Sequence, residues 1–193
     1  MSEASNPVTA RRRRAIFVDR DGTLIPDLHY LKEAERLEVF RGVGDGLRWF
    51  RQHGYRILCV TNQSGVERGF YSEEDIQRIH RRLNEVLRPL GAEVDAFYYC
   101  PHAPEHGCAC RKPGSELFLR AEAEWGIDLP SSAIVGDRAL DVEAGERLGL
   151  LTAVVPNPRA VDALRRELDL AKVHPDIEAS TFAGAAARIL ARG

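Results

Sequence analysis

The 193-residue chain lacks the long apolar run of a membrane protein. A membrane helix needs roughly 20 consecutive apolar residues, and the run that follows the N-terminal arginines, residues 15–18, is stopped by Asp19. This run is also too short to be the apolar region that follows the basic residues of a signal peptide. We therefore predict that the chain has no membrane partner and stays in the cytoplasm.

Basic residues are also too few for a nucleic-acid-binding surface. Lysine and arginine number 27 against 29 aspartates and glutamates, which gives a net charge of −2, and no broad basic face or nucleic-acid partner is indicated. One run of arginines occupies residues 11–14, behind a stretch that is mostly small or polar and has no periodicity. We predict a flexible basic tail over residues 1–14 and a single domain over residues 15–193.

The chain has only four cysteines: Cys59, Cys100, Cys108 and Cys110. They are too few and too clustered for the disulfide framework of a secreted domain, and in a reducing compartment clustered cysteines usually bind metal. Cys100, His102, Cys108 and Cys110 together offer the ligand set of a closed structural Zn²⁺ site. His106, inside the same loop, is an alternative fourth ligand. Cys59, in the middle of a strand, is predicted to be a core residue.

Short apolar runs alternate along the chain with stretches of helical periodicity. The predicted strands cover residues 15–18, 55–60, 94–99, 133–135 and 151–155, with a short edge strand near Val173. The predicted helices cover residues 44–53, 72–90, 115–125, 140–148, 158–170 and 181–191. This alternation predicts an α/β fold, a doubly wound parallel sheet with helices on both faces, in which ligands bind at the carboxyl ends of the strands.

Polar residues follow four of these strands. Asp19 and Asp21 come directly after the first strand and, two positions apart, present their carboxylates to one site, which a divalent cation such as Mg²⁺ would stabilise. Thr61 and the glycine-containing turn after the second strand suit a phosphoryl oxygen. Asp137, after the fourth strand, brings a further carboxylate to the same edge, and Asp141 follows four residues later.

A pair of cations, Arg111 and Lys112, precedes the third crossover helix and is followed by proline. In chain order, Asp-x-Asp-Gly-Thr, a strand-end threonine, Lys-Pro and Gly-Asp resemble the motifs of the haloacid dehalogenase (HAD) superfamily of phosphohydrolases, over residues 15–155. Residues 17–23, 61–65 and 100–113 are more closely similar to D-glycero-D-manno-heptose 1,7-bisphosphate 7-phosphatases and to histidinol-phosphatases. The resemblance implies a HAD-like, Rossmann-type domain and a zinc-binding loop.

The resemblance also implies a role for each motif residue. Asp19 would be the nucleophile that takes the phosphoryl group, and Asp21 would protonate the leaving alkoxide and then activate water. Mg²⁺ would be held by Asp19, Asp137 and the main-chain carbonyl of Asp21. Thr61 and Lys112 would hold the equatorial phosphoryl oxygens, where charge spreads in the transition state.

The gaps between motifs leave no room for a separate cap domain, so we expect a shallow pocket walled by residues 26–30, residues 64–71 and the zinc loop. A small phosphorylated sugar is the predicted partner, and Arg68 with Arg111 would neutralise the second phosphate of a heptose bisphosphate. The predicted substrate-binding residues are Asp27, Tyr30, Thr61, Asn62, Gln63, Ser64, Arg68, Arg111, Lys112 and Arg138. We expect a monomer.

Two other readings stay open at this point. The short stretch between His102 and Cys108 is common in histidinol-phosphatases, although these usually lack an Arg-Gly pair such as Arg68 and Gly69. A phospho-receiver module would also combine a doubly wound sheet with an acidic cluster, a threonine and a lysine. Asp21, an acid that hydrolyses an aspartyl-phosphate, and the zinc loop argue for a phosphatase instead of a receiver.

Overall fold

The computed structural model describes residues 13–28 and 31–192. Six parallel strands form one sheet in the order β3-β2-β1-β4-β5-β6. The strands are β1 (Ala15–Val18), β2 (Arg56–Asn62), β3 (Ala96–Cys100), β4 (Ala133–Gly136), β5 (Leu151–Val154) and β6 (Ile177–Glu178). The main helices are α1 (Val43–Gln52), α2 (Glu73–Leu87), α3 (Glu116–Trp125), α4 (Ala139–Leu148), α5 (Val161–Ala171) and α6 (Phe182–Leu190).

Both faces of the sheet are covered, as the uninterrupted apolar strands predict. Side chains alternate along β1, so that Ile16 and Val18 pack into a core with α1, α2 and α6. Phe17, between them, packs on the opposite face, where its ring meets that of Phe118 of α3 edge-on at 5.1 Å. The predicted doubly wound parallel sheet is therefore confirmed.

The helix boundaries follow local sequence signals. Ser72 caps α2 by accepting a hydrogen bond from the main-chain N–H of Asp75, whose own carboxylate accepts from the main-chain N–H of Ser72. Gly126 and Gly149 adopt left-handed conformations immediately after α3 and α4, where a residue without Cβ ends a helix at little cost. These are the positions at which the sequence predicts the helices to end.

The predicted edge strand near Val173 is wrong in position, because the sixth strand lies at Ile177–Glu178. Val173 instead closes α5: its N–H donates to the carbonyl of Leu168, and its side chain packs with those of Leu164 and Leu168. An apolar contact of this kind is common where a helix ends in a left-handed residue, here Lys172 with φ 55°.

Part of the predicted basic tail packs on the domain. Arg13 pairs with Ile127, and the Arg14 guanidinium lies 4.5 Å from the centre of the Tyr55 ring. Residues 1–12 lie outside the described part of the chain, so a flexible tail there stays a prediction.

The order of the strands fixes where a ligand can bind. The chain adds β2 and β3 on one side of β1, and β4 to β6 on the other. A crevice forms at the carboxyl ends of β1 and β4, where the winding direction changes. Within the described ranges no separate cap domain stands over this crevice, and no described helix is long and apolar enough to cross a membrane.

Candidate active site

A buried lysine lies at the centre of the crevice. Lys112 Nζ donates to Asp19 Oδ1 at 2.6 Å, to Asp141 Oδ1 at 2.7 Å and to the carbonyl of Val60 at 2.7 Å. The Lys112 side chain is only 3% exposed. Asp19 is placed by its main chain, because its N–H donates to the carbonyl of Val135 in β4 at 3.0 Å. The ammonium group thus joins loops that are far apart in the sequence.

Asp137, the residue after β4, adds a carboxylate to the acidic edge. A Cβ on Gly22 would lie 2.1 Å from Asp137 Oδ2, so the loop after β1 passes directly against this carboxylate. Gly22 has φ +87°, which also favours glycine. In the same way, a Cβ on Gly136 would lie 2.2 Å from Asp141 Cγ. The two glycines allow the acids to converge.

Burial opposes the ionisation of these acids. Burial raises the pKa of Asp19 to about 6. The negative charges of Asp141 and Asp21 also raise this pKa, whereas the positive charge of Lys112 lowers it. Burial also raises the pKa of Asp137 to about 8, and the charges of Asp19 and Asp141 act in the same direction. Carboxylates that repel one another in a buried crevice are stabilised by a divalent cation, and an all-oxygen donor set suits Mg²⁺.

The second acid after β1 is held by side-chain contacts. Asp21 Oδ2 accepts from Gln63 Nε2 at 2.7 Å and from Arg20 Nη2 at 2.8 Å. Gln63 Nε2 also donates to Thr61 Oγ1 at 2.9 Å. The side chain of Gln63, which the sequence predicts to bind substrate, is therefore committed to neighbouring protein groups.

Asn62 has a comparable structural role. Its Nδ2 donates to the carbonyl of Lys112 at 3.1 Å, and its Oδ1 accepts from the N–H of Lys112 at 3.0 Å. The amide thereby fixes the main chain of Lys112 on the end of β2. The predicted contact of Asn62 with substrate stays a prediction.

Most of the predicted site residues line one cavity of about 310 Å³. Those among its lining residues are Asp19, Asp21, Asp27, Thr61, Asn62, Gln63, Ser64, Arg111, Lys112, Asp137 and Arg138. Arg111 is oriented by its Nη1, which donates to the carbonyl of His102 at 3.1 Å. Tyr30 lies outside the described residues.

Two predicted substrate-binding arginines are engaged elsewhere. Arg68 does not line the cavity, and its Nη2 lies 3.6 Å from Glu105 Oε1. Arg138 lines the cavity but donates through Nε to Glu167 Oε2 at 2.8 Å, with Nη2 2.7 Å from Oε1. Of Arg68 and Arg111, the two arginines predicted to bind a second phosphate, only Arg111 lines the cavity.

The four predicted zinc ligands come together in the loop after β3. One ligand atom from each of Cys100, His102, Cys108 and Cys110 lies within 4.8 Å of the others. Cys110 Sγ is 3.2 Å from Cys100 Sγ and 3.3 Å from His102 Nδ1. These separations suit four ligands around one tetrahedral Zn²⁺ ion.

His106 is held outside this cluster. Its Nδ1 lies 2.8 Å from Glu67 Oε1, and its ring stacks on that of His102 with centroids 4.1 Å apart. Glu67 also accepts a hydrogen bond from the N–H of Ala103. The cluster that could hold a metal ion therefore contains His102 and not the alternative His106, and Glu67 connects the loop after β3 to the loop after β2.

The chain is similar to known sugar phosphatases. A HAD-hydrolase-like family model matches residues 109–185. The D-glycero-beta-D-manno-heptose-1,7-bisphosphate 7-phosphatase of Helicobacter pylori is 41% identical over 133 residues, which cover 68% of this chain and 77% of that protein. The enzyme of the same name from Rhodopseudomonas palustris is 38% identical over 149 residues, covering 74% and 83%.

The chain belongs to the family of D-glycero-D-manno-heptose-1,7-bisphosphate 7-phosphatases. It is therefore a phosphoric monoester hydrolase with a HAD-like fold, as the sequence motifs predict. The structure of D,D-heptose 1,7-bisphosphate phosphatase from B. bronchiseptica, complexed with magnesium and phosphate, has a TM-score of 0.81 and 27% identity, and covers 93% of this chain and 99% of that one. Magnesium in that relative agrees with the acidic edge of this phosphatase.

Two buried residues beside the site, Arg20 and His80, belong to none of the predicted catalytic, metal or substrate-binding sets. Arg20 is 1% exposed and His80, on α2, is 7% exposed. The only sequence signal for Arg20 is its position between Asp19 and Asp21, and arginine at a loop is ordinarily solvated. His80 lies among the buried apolar residues Ile76, Ile79 and Leu83 of α2, and this helical spacing could have marked it as facing the sheet.

Proposed function

We propose that this phosphatase removes the 7-phosphate of D-glycero-D-manno-heptose 1,7-bisphosphate in a Mg²⁺-dependent reaction through an aspartyl-phosphate on Asp19. The observation that carries the proposal is the contact of Asp19 Oδ1 with Lys112 Nζ at 2.6 Å, beside the acidic edge of the crevice. A carboxylate held this way is a nucleophile that needs no general base.

In the first step, an oxygen of Asp19 attacks phosphorus, and the bond from phosphorus to the sugar oxygen breaks. Asp21 gives its proton to the leaving sugar oxygen. In the second step, Asp21 takes a proton from water, the water oxygen attacks phosphorus, and the bond to Asp19 breaks to release inorganic phosphate. The Thr61 hydroxyl and the Lys112 ammonium would stabilise the transferring phosphoryl oxygens.

Asp19, Asp137 and the main-chain carbonyl of Asp21 would hold the magnesium ion. When bound, the ion supplies charge neutralisation for the phosphoryl oxygens and for the mutually repelling carboxylates. The raised pKa values of Asp19 and Asp137 support this proposal, since a cation bound between the two groups would favour their carboxylate forms.

Arg111 is the residue that we expect to recognise the second phosphate. It lines the cavity and is oriented by its contact with the carbonyl of His102, so the zinc loop would present its guanidinium to the sugar. Because Arg68 is exposed and lies near Glu105, it would have to leave that partner to contribute. We further propose one structural Zn²⁺ on the loop, a cytoplasmic location and a monomeric state.

The substrate assignment is tested by phosphate release from four compounds: heptose 1,7-bisphosphate, a heptose monophosphate, histidinol phosphate and an aryl phosphate. We expect the bisphosphate to have the highest kcat/KM. Each charge-assisted contact contributes roughly 1.5 to 3 kcal/mol, so Arg111→Ala should lower kcat/KM for the bisphosphate about ten- to a hundredfold and change the aryl phosphate little. Arg68→Ala is the comparison variant and should have the smaller effect.

A wild-type preference for histidinol phosphate would refute the heptose assignment while leaving the phosphatase mechanism intact. An equal loss on the bisphosphate and the aryl phosphate in Arg111→Ala would mean that Arg111 acts on the transferring phosphoryl group or on the loop.

A further inference from the structure

We infer that Arg20 is a positioning residue that orients the carboxylate of Asp21, and that His80 and Gln63 hold Arg20 in place for this purpose. The inference goes beyond the proposed function and rests on the acid–base role of Asp21 proposed there. It assigns a purpose to a buried polar network that no step of the mechanism uses directly.

The burial of Arg20 requires an explanation. Its residue surface is 1% exposed, and it is the largest fully buried side chain in the described part of the chain. A buried cation without partners costs several kcal/mol. All three guanidinium nitrogens of Arg20 have partners: Nε and Nη2 donate to Asp21 Oδ2 at 3.1 and 2.8 Å, Nη2 donates to Gln63 Oε1 at 2.8 Å, and Nη1 lies 3.3 Å from His80 Nε2.

These contacts are unequal for the two oxygens of Asp21. Oδ2 accepts from two nitrogens of Arg20 and from Gln63 Nε2, whereas Oδ1 accepts only from Arg20 Nη2, at 3.1 Å, among the described residues. A fork of this kind fixes the plane of a carboxylate as well as its position. Oδ1 is therefore the oxygen left to exchange a proton with the leaving group and with water.

His80 anchors the far side of the guanidinium. Its ring stacks on Phe97 of β3, with centroids 4.2 Å apart and planes 11° apart. Burial lowers the pKa of His80 well below its usual value, and the charge of Arg20 acts in the same direction. A guanidinium has donors only, so the neutral ring must accept at Nε2 and carry its hydrogen on Nδ1.

Gln63 connects this network to the phosphoryl site. Its Oε1 accepts from Arg20 Nη2 and, at 2.7 Å, from the hydroxyl of Tyr71. Its Nε2 donates to Asp21 and to Thr61, so the opposite orientation of the amide would set donors against the donors of Arg20. One amide thus aligns both the carboxylate of Asp21, through Oδ2, and the hydroxyl of Thr61.

The inference has a kinetic consequence that depends on the leaving group. A sugar alkoxide needs the proton of Asp21 to depart, whereas p-nitrophenolate is weakly basic and departs without one. Misorientation of Asp21 should therefore slow both steps for a sugar phosphate. For p-nitrophenyl phosphate it should slow only the hydrolysis of the aspartyl-phosphate, so that the phosphoenzyme accumulates.

The experiment compares Arg20→Lys, which keeps the charge but loses the fork, with His80→Phe, which keeps an aromatic ring on Phe97 but loses the acceptor. Asp21→Asn is the benchmark for loss of acid–base function. Arg81→Lys, an exposed substitution next to His80 on α2, is the matched control. Stopped-flow release of p-nitrophenol, steady-state turnover of heptose bisphosphate and thermal melting are measured for each Mg²⁺-loaded variant.

We expect Asp21→Asn and Arg20→Lys to release a burst of p-nitrophenol that approaches one per active site and exceeds that of the wild type. Because misplacement of a reacting group by about 1 Å can cost about a hundredfold, sugar-phosphate turnover in Arg20→Lys should fall about ten- to a hundredfold. In this variant the loss of sugar-phosphate turnover should exceed the loss in the rate of the p-nitrophenol burst. His80→Phe should show the same pattern with a smaller loss, and Arg81→Lys should match the wild type.

The inference requires that Asp21→Asn shows a larger burst than the wild type. If it does, the inference is overturned when folded Arg20→Lys and folded His80→Phe show no larger burst and each loses the same activity on both substrates. If Arg20→Lys does not fold, the His80→Phe result alone decides in the same way. Absence of the burst in Asp21→Asn would instead refute the proposed role of Asp21, and the inference would fail with it.

Discussion

Replacement of Lys112 by methionine should strongly destabilise the protein and do so in a pH-dependent way. Methionine fills the space of the lysine stem but leaves the carboxylates of Asp19 and Asp141 without their common cation. The side chains of these acids are 11% and 3% exposed, and both contacts are short, at 2.6 and 2.7 Å. Removal of one partner from a buried ion pair costs about 3 to 5 kcal/mol.

For a domain of this size, 1 kcal/mol corresponds to about 2 to 4 °C in melting temperature. We therefore expect Lys112→Met to melt roughly 10 °C below the wild type. Lys32→Met is the matched control, because Lys32 is exposed, and it should lie within about 0.5 kcal/mol of the wild type.

The pH dependence of the loss tests its electrostatic cause. Without Lys112, Asp19 loses the cation that lowers its pKa, so that its folded-state pKa lies still further above the unfolded value of about 4. The folded state then binds more protons than the unfolded state, so the stability of the variant falls as pH rises through this interval. The difference from the wild type should thus be larger at pH 8 than at pH 5, as measured by urea unfolding in magnesium-free buffer without chelator.

A loss below about 1 kcal/mol at pH 8 would refute the reasoning, because it would mean that water or another group replaces the ammonium. The same loss at both pH values would also refute it, and would indicate that Lys112 stabilises the fold by packing alone. Phosphatase activity should fall about a hundred- to a thousandfold, as it does when one donor to a developing charge is removed.

Three further results are expected. Asp19→Asn should abolish Mg²⁺-dependent phosphate release in protein that still folds, because Lys112 keeps Asp141 and the carbonyl of Val60 as partners; more than a few per cent of wild-type turnover would contradict its role as nucleophile. In magnesium-free buffer without chelator, the wild-type melting temperature should fall as pH rises from 5 to 8, since burial raises the pKa values of Asp19 and Asp137 to about 6 and 8, and Mg²⁺ should raise it more at pH 8; a pH-independent effect of Mg²⁺ would argue against these ligands. Metal analysis should find one zinc per chain, retained in His106→Ala and lost with a drop in stability in Cys108→Ser; zinc lost from both variants would mean that His106 is a ligand.

Local pattern was sufficient to predict the acidic edge. A four-residue apolar run before Asp19 marks a buried strand, and parallel strands present their carboxyl ends to one edge of the sheet. Thr61, Lys112 and Asp137 could be assigned to that edge from their order along the chain, before any distance was known.

The roles of the polar side chains around this edge could not be predicted in the same way. The sequence motif makes Asn62 and Gln63 candidates for substrate binding, but their amides meet Lys112 and the Arg20–Asp21 pair across the crevice. Which partner an amide contacts depends on the packing of neighbouring strands and loops, and this information is not local.

The sequence by itself determined the alternation of strands and helices, the acids after β1 and β4, and the clustering of three cysteines and a histidine, because each depends on residues close together in the chain. Only the tertiary structure decided that Glu67 holds His106 outside the cluster of Cys100, His102, Cys108 and Cys110. It also decided that His80, 60 positions away, lies against Arg20. A charged group is buried only where distant segments bring its partners within hydrogen-bonding distance, and folding alone creates that arrangement.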